Sequence, residues 1–388
     1  MDFRDAPADA AFRAELRAWL AEHHPPAAEL GTADRVRIQL DWQRELHAGG
    51  WVAPSWPAEW GGRGATPAQV AIYHEEMTLA RAPNPINTIG VWNIGPMLIA
   101  LGTQEQKNRW LAPMLSGEQI WCQGFSEPDA GSDLASLRTR AVAVDGGFLV
   151  TGRKVWTTYA DFADLCLALV RTDPEARPHE GISALVVDMH APGVQVRPIR
   201  EITGHDGFNE ITFDDVLVPA ENLVGELNRG WHAAMSTLAN ERVGTTTLGI
   251  QVRRHLGDVI ELARATKRGR GTALEDPIVR DRIARMHIDV ETTRILAARA
   301  LSLVQRGEPP TVEVALGKLV WSRLWQQVSE LAVELQGAAG LQWGARAVDE
   351  GRWQHAMLYS RMATIGAGTT EIQKNIIAQR GLGLPRAT

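Results

Sequence analysis

Apolar positions recur at helical spacing at both ends of the chain and in short strand-like runs between them. Near the N-terminus Phe12, Leu16, Trp19 and Leu20 share one helical face. Stretches 36–49, 67–82 and 104–116 predict further helices, and the Pro- and Gly-rich segment 53–64 (APSWPAEWGGRG) predicts a loop between them. The period changes after residue 118. Runs at Leu137–Val144, Gly147–Thr151, Asp164–Val170, Ile182–Met189, Val194–Arg200 and Glu210–Val218 are separated by turns such as Asp145 to Gly147 and Pro192-Gly193. Short strands at such regular spacing predict an antiparallel barrel or sandwich. Helical periodicity returns over 229–265, 277–306 and 311–335, long stretches with few breakers that pack as a bundle. A last helix is expected to start near Thr370, where Thr370 to Gln373 (TEIQ) has the form of a capping box. The pattern therefore reads as an α+β chain in three parts. An N-terminal helical domain covers 1–118, a middle antiparallel β-barrel-like domain covers 119–228, and a C-terminal four-helix bundle covers 229–388.

Composition narrows the function classes. Charged residues make up 22% and apolar residues 45% of the chain, with a formal net charge of −6, so no basic footprint for nucleic acid is present. The opening residues MDFRDAPADAAFRAEL are charged throughout and lack the apolar core of a secretory signal, and no apolar run is long enough to span a membrane. Two cysteines, Cys122 and Cys166, suit a reducing compartment, and a cytoplasmic protein is expected. Neither the His23-His24 pair nor His190 offers metal-ligand spacing. Ser126 in GFSEP does not sit in a G-x-S-x-G elbow, so a hydrolase is not supported. Fourteen tryptophans are expected to fill interfaces between helices.

Three segments carry chemistry. Residues 121–133 read WCQGFSEPDAGSD, Gly152 to Thr158 read GRKVWTT, and Gly366 to Gln373 read GAGTTEIQ. In that order and separation they resemble the acyl-CoA dehydrogenase family of flavoproteins, and the resemblance runs over nearly the whole chain. It implies an FAD enzyme that oxidises the Cα–Cβ bond of an acyl-CoA thioester. It also implies electron transfer to an electron-transfer flavoprotein and assembly as a homo- or hetero-oligomer, dimer or tetramer. The resemblance gives Phe125, Ser126, Trp156, Thr157 and Thr158 to the flavin ring, with the Ser126 hydroxyl at its pyrimidine end and Thr158 near N5. Hydroxyls can donate to flavin edge atoms and an indole can cover a ring face. Ser132 and Arg242 match positions that meet the substrate. Thr369 and Glu371 match contacts to the adenosine half of FAD, while Gly337 and Gly340 match a site for the FAD diphosphate across a dimer interface.

Two departures from the family pattern bear on mechanism. The Arg, Phe-Gly and Gln that normally reach a neighbouring subunit's FAD are replaced by ARATKRGRGTALEDPIVRDRIARM at 263–286, leaving Arg268 or Arg270 for the diphosphate and Pro277 near the glutamine position. Ala367 stands where most of the family carries the catalytic glutamate. Its backbone N–H can still polarise the thioester carbonyl, but it cannot take a proton. Some family members place the base on the first helix of the C-terminal bundle, where this chain has Glu241 beside Arg242. The expectation is a dehydrogenase with Glu241 as base, similar to a bacterial subgroup acting on bulky esters such as steroid side chains. The alternatives are a catalytically silent subunit completing a partner's FAD site, or a flavin oxidase or monooxygenase relative.

Overall fold

A computed structural model describes residues 4–23, 35–245 and 248–385; the side chains of 238–245, Leu248 and Ala345 lie outside the described residues. The N-terminal elements are α1 (Pro7–His23), α2 (Arg35–Ala48), α3 (Pro67–Leu79), a π-helical segment at Ile89–Ile94 leading into α4 (Gly95–Leu101), and α5 (Gln104–Ser116). The strands follow: β1 (Trp121–Gly124), β2 (Arg140–Val144), β3 (Gly147–Thr158), β4 (Leu165–Arg171), β5 (Ile182–Asp188), β6 (Val194–Ile199), β7 (Phe208–Pro219) and β8 (Leu223–Val224). Next come α6 (Gly230–Thr245), α7 (Leu248–Ala265), the hairpin β9 (Lys267–Arg268) and β10 (Gly271–Thr272), α8 (Pro277–Gln305), α9 (Thr311–Leu335), α10 (Arg352–Tyr359) and α11 (Thr370–Ile376). This is the expected α+β architecture of N-terminal helices, middle sheet and C-terminal helices. By backbone contacts the chain forms two compact units: Met1–His24 with Thr66–Ala82 and Arg242–Thr388, and Pro25–Ala65 with Pro83–Glu241. The N-terminal helices are thus shared out, α1 and α3 to the first unit and α2, α4 and α5 to the second.

In the second unit the strands run β6-β7-β3-β2-β4-β5-β8, with β1 beside β4. The pairs are antiparallel except that β1 lies parallel to β4 and β2 touches β4 in parallel at Arg140 and Arg171. Val150, Cys166, Ala168, Leu185, Ile211, Phe213 and Val216 fill one buried face. Strand β3 is longer than its apolar run suggests. The alternation that buries Phe148 and Val150 continues inward to Lys154, so a lysine occupies a core position of the strand. The entry to β1 is held by buried amides. Asn87 Nδ2 donates to the carbonyls of Met114 (3.0 Å) and Gln119 (2.9 Å), and its Oδ1 accepts from Trp121 N–H at 2.9 Å. Gln43 accepts from Asn87 N–H at 2.9 Å and donates to the Met114 carbonyl at 2.9 Å. Buried amides left without such partners cost about 1–3 kcal/mol each, so this network sets where β1 begins.

In the first unit Val252, Leu256 and Val259 of α7, Val279, Ile283, Met286 and Val290 of α8, and Leu324, Val328 and Leu331 of α9 recur every three or four residues and form one core. Asp276 caps α8 by accepting from Ile278 N–H at 2.8 Å, with Pro277 in the first turn. Helix α1 is tied to α3 by Glu76, which accepts from Arg13 at 2.5 Å and Arg17 at 2.6 Å. Two histidines of this unit are held neutral. Burial lowers His74 to about 4, and burial with the Arg254 charge lowers His255 to about 4. Because the folded values lie below the unfolded value, their contribution is fully present above pH ~6.5 and is lost as pH falls toward about 4. Chemical denaturation from pH 7 to pH 4 should show roughly 3 kcal/mol of loss per histidine, and His255→Gln should remove its share of the slope. A wild-type slope retained in that variant would contradict the assignment.

Candidate flavin and acyl-CoA site

The end of β3 carries the first group of expected residues. Its pairing with β7 shifts between Lys154 and Thr157, and Trp156 sits in this bulge with φ of +60°. A non-glycine residue in the left-handed region costs on the order of 1 kcal/mol and marks a special position. The bulge turns Trp156 outward: the residue is 59% exposed, and its ring meets the edge of Phe208 at 6.1 Å. Thr157 is buried and Thr158 half-buried. Among the described residues, buried Thr157 Oγ1, Asn209 Oδ1 and Gln123 Oε1 have no hydrogen-bond partner. Thr157 and Asn209 are register partners, so two of these atoms belong to neighbouring residues of one sheet.

The chain after β1 runs beside that strand. Val155 N–H donates to the Ser126 carbonyl at 2.9 Å. Phe125 is buried and Ser126 half-buried. Glu127 and Ala130 close the next turn by mutual backbone bonds of 3.0 and 3.1 Å. Below the turn, Glu127 Oε1 accepts from Lys154 Nζ at 2.8 Å, and its carboxylate also accepts from the N–H groups of Arg138 and Thr139 at 2.7 and 2.8 Å. Lys154 is fully buried and donates as well to the Phe125 carbonyl at 3.2 Å. Burial alone pushes the Glu127 carboxyl up, but the Lys154 charge and the three donors outweigh it and hold the carboxyl below its ordinary range. Burial lowers the Lys154 ammonium, with Glu127 pulling the other way. Removing one member of such a buried pair costs about 3–5 kcal/mol. A Cβ on Gly152 would come within 2.5 Å of Thr139 Oγ1, so glycine there permits the close approach of β3 to the 136–139 segment. An open groove of about 330 Å³ lies between that segment, the 127–130 turn and Gly152-Arg153. Ser132 is exposed in the loop beyond.

A second group of expected residues lies in the other unit. Ala367 and Gly368 take φ of +52° and +88° in succession. The carbonyls of this turn are engaged: Gln373 Nε2 donates to Ala367 O at 3.0 Å and buried Lys318 to Gly368 O at 2.7 Å. Among the described residues, the N–H groups of Ala367, Gly368 and Thr369 have no hydrogen-bond partner. Helix α11 begins at Thr370 as expected, but its cap is Thr369, whose hydroxyl accepts from Ile372 N–H at 3.2 Å. The expected capping box is therefore out of register by one residue, and Gln373 braces the turn instead. The exposed Glu371 carboxyl is lowered by its own backbone N–H and then by the Thr369 hydroxyl.

The remaining expected residues are less gathered. Gly337 (φ +57°) has open space around it, whereas Gly340 is a packing glycine whose Cβ would meet Val333 O at 2.5 Å. Arg268 ion-pairs with Asp276 at 3.0 Å, and Arg270 is exposed in the β9–β10 turn. Glu241 and Arg242 have their backbone on α6, and their side chains lie outside the described residues. Lys154, Lys318 and Gln373 were absent from the sequence-based set. Lys154 had a readable signal, an inward position in an alternating strand that requires a buried counter-charge. Gly368→Ala should cost about 1–2 kcal/mol, because its Cβ would lie 2.7 Å from Gln373 Nε2 at an already left-handed φ. Equal stability by denaturant titration would show that this turn is not held as described.

Comparison with known proteins gives matches along the chain. Residues 6–118 match the acyl-CoA dehydrogenase N-terminal domain, 122–216 the middle domain and 228–382 the C-terminal domain. Acyl-CoA dehydrogenase IpdE1 of Mycolicibacterium smegmatis is 38% identical over 395 aligned positions, covering 97% of each chain. Among solved structures, the Tcur3481-Tcur3483 steroid ACAD superposes with a TM-score of 0.88 at 32% identity, covering 100% of both chains. The ChsE4-ChsE5 complex from Mycobacterium tuberculosis superposes with a TM-score of 0.86 at 31% identity, again over 100% of both chains.

Proposed function

Because this chain belongs to the acyl-CoA dehydrogenase family, an FAD-using family of oxidoreductases, we propose that it desaturates a bulky acyl-CoA ester of the steroid side-chain class, with Glu241 as base. The observation that carries this reading is the set of open donors that each unit presents by itself. Orphaned buried Thr157 Oγ1, half-buried Ser126 and Thr158 and outward Trp156 fit the polar edge and face of a flavin ring. The open N–H groups at 367–369 and the Thr369 cap fit the adenosine half of FAD. When bound, FAD supplies the acceptor for the substrate's β-hydrogen as hydride.

The chain's own groups would do the rest. The Ala367 N–H donates to the thioester carbonyl and acidifies the α-proton, a contact that needs no side chain. Glu241 takes that proton, since position 367 offers no carboxylate. Arg242 and Ser132 hold the coenzyme A portion. Gly337 and either Arg268 or Arg270 serve the diphosphate of FAD, in this subunit or a neighbouring one, with Gly340 keeping the segment close to α9. An electron-transfer flavoprotein accepts the electrons, and the assembly is oligomeric, dimer or tetramer. The steroid substrate class is supported by the name of the Tcur3481-Tcur3483 relative, and a heteromeric assembly by the two-component names of both solved relatives. Ala367 also favours a second reading, a silent subunit that completes a partner's FAD site.

Two measurements test this reading. Flavin released by denaturation should be FAD and not FMN on chromatography, because the 366–373 turn suits an adenosine half; FMN alone, with FAD refused on reconstitution, contradicts it. Glu241→Gln should slow flavin reduction by substrate at least about 100-fold while FAD content is unchanged, the usual cost of losing a general base. Ala367→Glu in that background returns a carboxylate to the common family position and should restore part of the rate. Normal reduction in Glu241→Gln would remove Glu241 from the chemistry.

A further inference from the structure

We propose that the buried Glu127–Lys154 pair is a positioning device for the flavin, which makes residues 125–127 present donors rather than carbonyls and whose balanced charges set how readily the bound flavin accepts electrons. The proposal rests on the FAD reading above. Its basis is the accounting of polar groups where two sequence segments meet. Lys154 Nζ engages the Phe125 carbonyl at 3.2 Å, and Val155 N–H engages the Ser126 carbonyl at 2.9 Å. Both groups of the Glu127 backbone are engaged by Ala130. Among the described residues, the Ser126 hydroxyl and the N–H groups of Phe125 and Ser126 remain without a partner in this stretch. The junction therefore offers hydrogen-bond donors to a ligand, because Lys154 and the Val155 N–H between them hold the acceptors on the β3 side.

The charges matter as well as the geometry. Lys154 is 0% exposed and Glu127 8% exposed, so neither charge is screened by solvent as a surface charge is. Their contact at 2.8 Å makes the pair nearly neutral at a distance. A single unpaired member would act over a distance on the order of 10 Å in this setting. Reduction adds negative charge to a flavin ring. An orphaned Glu127 would oppose it and an orphaned Lys154 would favour it. A pair that served stability alone would give the same kind of disturbance whichever member is removed.

The test is the flavin midpoint potential of purified holoprotein, read from the ratio of reduced to oxidised flavin at a fixed potential. Lys154→Met should lower that ratio at least tenfold, about 30 mV for a two-electron couple. Glu127→Gln should raise it by a similar factor, and the double variant should stay within about threefold of wild type. Shifts of the same sign in both single variants, or ratios unmoved in both, overturn the proposal. If a single variant does not retain flavin, Lys154→Arg is measured in its place. A ratio within about threefold of wild type supports the charge role, and a tenfold change overturns it. Wild-type protein that refuses FAD removes the cofactor reading and this proposal together. FAD-loaded wild type with unmoved variants removes the proposal alone.

Discussion

A lysine buried completely inside a β-sheet must have a counter-charge, and in this protein that requirement joins the two segments on which the proposed flavin site is built. Lys154 stands at an inward position of β3, where apolar residues precede it, and Glu127 comes from the turn after β1 to meet it at 2.8 Å. Taking two charges out of water is costly, and only close pairing with further hydrogen bonds offsets the cost. The N–H groups of Arg138 and Thr139 supply those further bonds and bring a third segment to the same point. Once these contacts form, the Ser126 carbonyl lies against Val155 N–H, and the bulge that exposes Trp156 follows directly. On the other side of β1, the Asn87–Gln43 amides hold the start of the strand.

The same logic appears in the helical unit with different residues. Lys318 and Gln373 engage the carbonyls of Gly368 and Ala367, and two left-handed residues in succession leave neighbouring N–H groups open. In both places a side chain behind the backbone takes up the acceptors, and donors are what remains for a ligand. That is a suitable surface for phosphates, for a flavin's polar edge and for a thioester carbonyl that gains negative charge. The role proposed for this turn in polarising substrate needs only its N–H groups, so it does not depend on a carboxylate at 367.

Much of this was legible in the sequence. Alternation located the strands from 137 to 218, and helical spacing located α2, α3, α5, α8 and α9, because each buries one face. What escaped depended on partners distant in sequence. Gly152-Arg153-Lys154 interrupts the apolar run, so the local pattern ends β3 at Thr151, although the carboxylate of Glu127 lets it continue to Thr158. The parallel approach of β1 to β4 and the start of β2 at Arg140 depend on long-range pairing that no local period encodes. With two threonines in succession, local propensity did not distinguish Thr369 from Thr370 as the cap of α11. The segments proposed to meet the flavin were recognisable from their motifs, but the bulge at Trp156 and the bracing of Ala367 arise only from tertiary contacts.

The family, the donor-rich turns and the absence of a carboxylate at 367 meet in one claim, that this chain carries out its own desaturation with a base outside the 366–373 turn. The most direct measurement is an anaerobic titration of the protein, expressed alone and loaded with FAD, against a steroid side-chain acyl-CoA. The account predicts bleaching of the flavin absorbance in proportion to added substrate, with the enoyl thioester as product. Flavin that stays oxidised with excess substrate, but bleaches once a partner subunit is added, would contradict it.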